Sequence, residues 1–203
     1  MIYGVDLSHH NIPDLTQSQR VRQLAATSDF VGLKVTEGAN GYYWNNQLLD
    51  YIPADAPLIL YHYARPEYND AESEARNFAV RVKLLAELKL KGRVIIPALD
   101  WEGTALQYPV DWIVAWAETV EEILGLKPML YIQRSACRPE MKPAADYGMG
   151  LWLASWNDDA EKPLTVNPWP FWAVHQYTSV PVDCNRFNGS IEQLKKYGGV
   201  LYE

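Results

Sequence analysis

Short runs rich in β-branched and aromatic residues alternate along this chain with longer stretches in which apolar residues recur every three or four positions. The first pattern predicts strands, and the second predicts amphipathic helices. Their alternation is typical of βα units around a largely parallel sheet. About eight strands are predicted, near residues 3–7, 30–36, 58–64, 93–100, 128–133, 151–155, 172–177 and 183–186.

The strongest helical pattern covers residues 69–90, where the apolar side chains form a single stripe. Asn69 can cap this helix together with Glu72 three residues later, and Gly92 follows it as a stop signal. Further helices are predicted over residues 15–26 and 113–124, with weaker patterns at 42–51, 135–145 and 190–197.

The 203 residues contain no linker rich in Pro, Gly or Ser and no internal repeat. Residues 1–203 are therefore predicted to form one domain, which is long enough to bury a sizeable core. The order of elements predicts an α/β fold, a single (β/α) barrel that is TIM-like but flattened or irregular. Its functional site is expected at the C-terminal ends of the strands. A doubly wound open sheet is the alternative.

Composition excludes several classes of function. The net charge of -7, with scattered basic residues, argues against a nucleic-acid partner. No apolar run is long enough for membrane insertion. Only Cys137 and Cys184 occur, so there is no disulfide framework, although one bridge between them stays open. The 8 tryptophans and 13 tyrosines offer flat faces to sugar rings, while many of them must fill the core.

Asp100 and Glu102 follow the apolar run 94–99. Side chains at positions i and i+2 of an extended segment share a face, so the two carboxylates are predicted to point into one space. Two acids in a shared site do not both ionise easily, and one can stay protonated near neutral pH. Glycosidases use such a pair. On this spacing alone, a solvated loop edge or a structural ion pair is the alternative.

Polar and acidic residues also stand at the ends of other predicted strands. Because an unpaired buried carboxylate is costly, they predict a convergent acidic cleft rather than core. The cleft could be a divalent metal site, a glycosidase site or a sugar-binding groove without catalysis. No metal is expected, because adjacent His9 and His10 point to opposite sides and no metal-binding motif is present.

Several longer motifs follow one another in a defined order. They occupy residues 4–11, 30–38, 61–66, 74–78, 99–102, 130–131, 151–154, 172–177 and 182–187. Together they resemble family 25 of the glycoside hydrolases, the N-acetylmuramidases of the Chalaropsis lysozyme type, over nearly the whole chain.

The resemblance implies a flattened β/α barrel that needs no cofactor. It also implies a lysozyme that cleaves the β-1,4 bond between N-acetylmuramic acid and N-acetylglucosamine with retention at the anomeric carbon. By position, Glu102 would be the general acid, and Asp6, Asp100 and Asp183 would be the other acids of the cleft. The partner would be bacterial peptidoglycan, with no obligate protein partner.

Further strand-end residues are candidates for substrate binding. Lys34 and Arg65 could meet lactyl or peptide-stem carboxylates, although solvation is the alternative for a lone basic side chain. Since neighbours in a strand alternate faces, about half of the aromatic candidates could be core instead. The remaining candidates are Tyr61, Tyr63, Tyr131, Trp152, Trp156, Gln176 and Tyr177.

In the mechanism predicted from these residues, Asp100 stays ionised and stabilises the transition state or orients the acetamido group of the substrate. A chitinase-like or endo-N-acetylglucosaminidase-like enzyme is one alternative, and a non-catalytic wall-binding barrel is another. The chain is expected to act on the bacterial cell wall. Because no signal peptide is seen, a phage endolysin made in the host cytoplasm and released at lysis is predicted, or an excised domain of a secreted protein.

Overall fold

The computed structural model describes residues 1–157, 159 and 166–203. Its strands are β1 Ile2–Leu7, β2 Phe30–Glu37, β3 Gly41–Tyr42, β4 Leu58–Tyr63, β5 Ile95–Asp100, β6 Met129–Gln133, β7 Gly150–Ala154, β8 Val174–Thr178 and β9 Cys184–Phe187. Its α-helices are α1 Ile12–Gln17, α2 Gln19–Ala26, α3 Ala71–Leu88, α4 Val110–Leu124, α5 Lys142–Tyr147 and α6 Ile191–Tyr197.

The strands close into a barrel. The sheet runs in the order β1-β9-β8-β7-β6-β5-β4-β2, and β1 then pairs with β2, so that eight strands form a ring. The predicted (β/α) barrel is confirmed, and the doubly wound open sheet is wrong. The two residues of β3, which the sequence did not predict, form a hairpin with the end of β2.

One strand of the barrel runs in the opposite direction to the others. β9 is antiparallel to both of its neighbours, β1 and β8, whereas the remaining barrel pairs are parallel. The start of β9 therefore lies at the rim where the other strands end. This direction determines where the segment before Cys184 can contribute side chains.

The core has two layers, because the barrel strands bury side chains on both faces. Inside the barrel, large side chains such as Phe30, Ile96 and Trp152 pack together, and Leu194 of α6 joins them. The second and larger layer lies between the barrel and the helices, and includes the fully buried Trp116 of α4. Strands buried on both faces read as nearly continuous apolar runs, which explains the pattern of β5.

The helices correspond to the predicted segments with shifted limits. The side chain of Asp70, rather than that of Asn69, caps α3 by accepting a hydrogen bond from the backbone N–H of Ser73 at 2.7 Å. The segment predicted as one helix over 15–26 is two helices, because the extended backbone of Ser18 ends α1 and the Ser18 side chain caps α2 by accepting from the backbone N–H of Val21. Short polar side chains favour such breaks by bonding to the backbone.

Helix α4 ends where the sequence predicted, at Gly125, which has a φ of 69°. That left-handed conformation suits glycine, because it has no Cβ to clash with the chain. Among the described helices, none combines the length and the apolar character that crossing a membrane requires. The sulfur atoms of Cys137 and Cys184 are free thiols.

Candidate active site

A pocket opens at the rim formed by the C-terminal ends of the barrel strands. We call it the acid pocket; its volume is about 120 Å³. All four carboxylates predicted from the sequence line it, as do several of the predicted aromatic and amide side chains. Its lining residues are Asp6, Tyr61, Asp100, Glu102, Tyr131, Trp152, Gln176 and Asp183.

Strand pairing aligns one row of this lining. Asp100 of β5 is in register with Tyr131 of β6, which is in register with Trp152 of β7. Between the two acids, Trp101 points the other way and is fully buried, with its ring centroid 5.3 Å from that of Trp112. Asp100 and Glu102, which flank Trp101 in the sequence, therefore face the same space, as their spacing predicted.

Asp6 is held at the floor of the acid pocket by two amide side chains. Its Oδ2 accepts hydrogen bonds from Gln176 Nε2 at 2.9 Å and from Asn185 Nδ2 at 2.7 Å. Its backbone N–H donates to the carbonyl oxygen of Asp183 at 3.0 Å. Asp6 and Asp183, which are far apart in sequence, are thus neighbours across the β1–β9 pair.

Gln176 connects this floor to the aromatic wall. Its Oε1 accepts hydrogen bonds from Tyr131 Oη at 3.0 Å and from Trp156 Nε1 at 2.8 Å, while its Nε2 donates to Asp6. The Trp156 ring is 63% exposed, so an apolar face remains open to solvent at the rim. A single buried amide therefore orients three residues that the sequence proposed for the site.

Two residues that shape the pocket had no role in the sequence analysis. Asn185 bonds Asp6 with its amide nitrogen and accepts from Trp152 Nε1 at 2.8 Å with its oxygen. At Gly32, a Cβ would lie 2.6 Å from Asp6 Cβ and 2.9 Å from Trp152 Cη2, so any side chain there would displace both. A polar residue in a short buried strand was the signal for Asn185, whereas nothing local marks Gly32.

Burial raises the pKa of Asp6 to about 8, and the charge of Asp183 adds to this, although the two hydrogen-bonding amides lower it. Burial, followed by the charge of Glu102, raises the pKa of Asp183 to about 6. Near neutral pH, Asp6 therefore tends to hold a proton while Asp183 is ionised.

Burial and the charge of Glu102 also raise the pKa of Asp100 well above its usual range. Burial removes the water that would solvate the charge, and nearby Lys34 opposes this shift. Burial raises the pKa of Glu102 as well, and nearby Lys34 opposes that shift.

A second cavity adjoins the acid pocket. We call it the rim cavity; its volume is about 260 Å³, and Glu102 and Tyr131 line both spaces. Trp156, Gln133 and Arg134 form part of its other walls. Glu102 and Tyr131 therefore lie at the junction of the two spaces.

Lys34 and Arg65 are engaged by another side chain. Glu37 accepts from Lys34 Nζ at 2.6 Å and from Arg65 Nε at 2.7 Å. Both cations also lie over the ring of Tyr63, each 4.7 Å from its centroid. They are therefore not solvated lone charges, and a substrate carboxylate would have to compete with Glu37 for them.

Lys34, Tyr63 and Arg65 line neither the acid pocket nor the rim cavity, and Tyr177 also lies away from them. Because it follows the inward-facing Gln176 in β8, its side chain points outward and packs against the layer between barrel and helices. Strand alternation explains this placement. Within the described part of the chain, no group of three or more His, Cys, Asp or Glu side chains is arranged to hold a metal ion.

The sequence of this chain matches a known family of glycosidases. Residues 5–185 match the family model described as glycosyl hydrolases family 25. The chain belongs to glycoside hydrolase family 25. The predicted family and the predicted enzyme class, a glycoside hydrolase, are thereby confirmed. A comparison with curated protein sequences found no match.

Solved structures share the barrel of this family 25 hydrolase. A muramidase from Acremonium alcalophilum superposes with a TM-score of 0.72 at 20% identity, covering 97% of this chain and 98% of that one. A lysozyme from Streptomyces coelicolor has a TM-score of 0.72 at 19% identity, with coverage of 97% and 96%. The catalytic domain of an endolysin from a Listeria monocytogenes bacteriophage has a TM-score of 0.65 at 22% identity, with coverage of 97% and 98%.

The buried acid Asp6 makes the stability of this hydrolase depend on pH. Between pH 4 and pH 8 the unfolded chain releases the Asp6 proton, whereas the folded enzyme retains it, so stability should fall as pH rises. Asp6→Asn removes this penalty. At pH 8 we expect the variant to be more stable than the parent by at least about 1 kcal/mol, which raises Tm by about 2–4 °C.

Thermal denaturation at a series of pH values measures this effect. The gain should shrink towards pH 4, because the Asp6 carboxyl then becomes protonated in the unfolded chain as well as in the folded enzyme. Asp50→Asn is the matched control, because Asp50 is exposed on the surface. An Asp6→Asn variant with the same Tm difference at pH 4 and pH 8 would contradict the linkage.

Proposed function

We propose that this glycoside hydrolase is a muramidase, a lysozyme that hydrolyses the β-1,4 bond between N-acetylmuramic acid and N-acetylglucosamine of peptidoglycan with retention. The position of Glu102 between the acid pocket and the rim cavity carries the proposal. A glycan lying across both spaces presents one linkage oxygen to Glu102, which donates the proton that the leaving sugar needs.

The carboxylates of the acid pocket would act on the ring that loses its leaving group. Near neutral pH Asp6 tends to hold a proton while Asp183 is ionised, so Asp183 would supply a negative charge in the acid pocket. That charge would stabilise the positive charge that develops at the anomeric carbon. Because the acids lie on the same side of Glu102, the rim cavity would hold the leaving sugar.

Asp100 would bind the acetamido group at C2 of the reacting sugar. Its Oδ1 is buried and has no hydrogen-bond partner among the residues that the structure describes. A buried polar atom left without a partner is costly, so it suits a polar substituent of the substrate. This supports a 2-acetamido sugar in the acid pocket.

The substrate-binding assignments extend this proposal. Tyr61, Tyr131, Trp152 and Gln176 line the acid pocket, and Trp156 offers its exposed ring in the rim cavity. Flat aromatic faces contact the apolar faces of sugar rings. The catalytic unit is taken as residues 1–203, since α6 near the chain end contributes Leu194 to the barrel interior.

If the protein is a muramidase, it acts on the bacterial cell wall, and its binding partner is peptidoglycan. The phage endolysin source and release at host lysis stay predictions. The shared fold with a bacteriophage endolysin domain is compatible with them.

Product analysis of digested cell walls tests the proposal. Purified sacculi are digested, the new reducing ends are reduced with borohydride, and the fragments are identified by mass spectrometry. We expect muramitol at the new ends. Glucosaminitol ends, or faster cleavage of chitin than of sacculi, would instead favour the glucosaminidase-like or chitinase-like alternatives, and no release of reducing ends would favour a wall-binding barrel.

A further inference from the structure

A third space lies beyond the rim cavity, away from the acids. We call it the outer cavity; its volume is about 480 Å³, and Gln133 lines both it and the rim cavity. The residues after β5 form one wall, including Leu106 and Tyr108, and those after β6 form the other, including Arg138 and Met141. Acid pocket, rim cavity and outer cavity thus adjoin one another in this order.

Two arginines lie along the outer part of this groove, Arg134 in the rim cavity and Arg138 in the outer cavity. Neither forms an ion pair with any residue in the part of the chain that the structure describes. Arg138 Nε donates to the carbonyl oxygen of Ser135 at 3.1 Å, which holds the guanidinium against its own loop. Glu140 also lines the outer cavity.

These arginines differ from the cations that the sequence proposed for carboxylate binding. Lys34 and Arg65 are both engaged by Glu37, so their charges are already compensated. Arg134 and Arg138 carry no such ion pair within the described residues, so their charges are available to an anionic ligand in the groove. A planar guanidinium suits bidentate binding of a carboxylate.

We propose that the outer cavity binds the acidic peptide stem of a neighbouring N-acetylmuramic acid, with Arg138 pairing with a stem carboxylate. This inference rests on the proposed muramidase function. The reacting muramic acid lies in the acid pocket and the leaving glucosamine in the rim cavity, so the next sugar along is again a muramic acid. Its stem branches from the glycan at the outer cavity.

The walls of the outer cavity suit such a stem. Leu106, Tyr108 and Met141 offer apolar contacts to alanyl side chains, and Gln107 and Gln133 can bond peptide groups. A stem that occupies this space adds binding energy at a distance from the cleaved bond. The enzyme should therefore cleave stem-bearing strands with a higher kcat/KM than bare glycan.

The test compares soluble glycan strands of matched length, with intact stems and after removal of the stems by an amidase. We expect the wild-type enzyme to prefer stem-bearing strands in kcat/KM. Arg138→Gln should reduce the ratio of the two kcat/KM values about tenfold, the scale of a lost charge-assisted hydrogen bond. Arg76→Gln, which changes an exposed arginine of α3, should keep the ratio.

A second measurement needs no variant. Raising the salt concentration, or amidating the stem carboxylates, should lower the preference of the wild-type enzyme, because both weaken the pairing of charges. Equal kcat/KM on both substrates, with muramic acid at the new ends, overturns the stem inference while the muramidase function stands. The absence of muramic acid ends overturns the proposed function, and the inference falls with it.

Discussion

Replacing Glu102 with glutamine is expected to lower kcat on peptidoglycan by about a hundredfold or more. The amide keeps the shape of the side chain but has no acidic proton to give to the leaving sugar. Glu102 lines both the acid pocket and the rim cavity, so no other carboxylate of the pocket stands at that junction. Release of reducing ends from sacculi measures the loss.

Thermal denaturation separates this effect from misfolding, because the variant should unfold at a Tm close to that of the parent. Glu118→Gln provides the matched control, since Glu118 is exposed on α4. A Glu102→Gln enzyme that releases reducing ends at the parent rate would remove Glu102 from the role of general acid.

Replacing Glu74 with alanine is expected to lower the free energy of unfolding by about 3 kcal/mol or more. The fully buried carboxylate of Glu74 accepts from His62 Nε2 at 2.8 Å, from the backbone N–H of Arg65 at 3.0 Å and from Asn69 Nδ2 at 2.8 Å. Burial lowers the pKa of His62, so the imidazole is neutral and accepts from Thr36 Oγ1 at 2.8 Å. Without the carboxylate, these donors lose their acceptor.

Denaturant or thermal unfolding measures the loss, which corresponds to about 6–12 °C in Tm. Glu72→Ala is the matched control in the same first turn of α3, because Glu72 is exposed. Its cost should stay below about 1 kcal/mol. Equal losses in the two variants would mean that helix N-terminal charge, rather than the buried network, provides the stability.

Strands such as β2 and β5 could be predicted because they are buried on both faces and therefore read as largely apolar runs. All eight predicted strands overlap observed ones, including the short β9. The first and last residues of the helices were less predictable, because they depend on which side chain accepts a hydrogen bond from a free backbone N–H. Asp70 caps α3, although Asn69 was a plausible candidate. The two-residue β3 carries no pattern long enough to detect.

Much of the candidate site could also be predicted, because side-chain alternation is a local property of a strand. It placed Asp100 and Glu102 on one face and Trp101 on the other. It could not tell which face of β8 looks inward, so Gln176 and Tyr177 were both candidates, although only Gln176 lines the pocket. Local pattern also could not show that Glu37 engages Lys34 and Arg65.

The α/β alternation, the family and the acids of the cleft could be identified from the chain alone, because hydrophobic period and motif order are properties of a linear sequence. How Asp183 reaches the site depends instead on the tertiary structure. Asp183 stands before β9, and in an all-parallel barrel that position would lie at the opposite rim. Since β9 pairs antiparallel with β1 and β8, its start meets the C-terminal ends of the other strands, beside Asp6. Strand direction is set by pairing between distant segments, which no local pattern encodes.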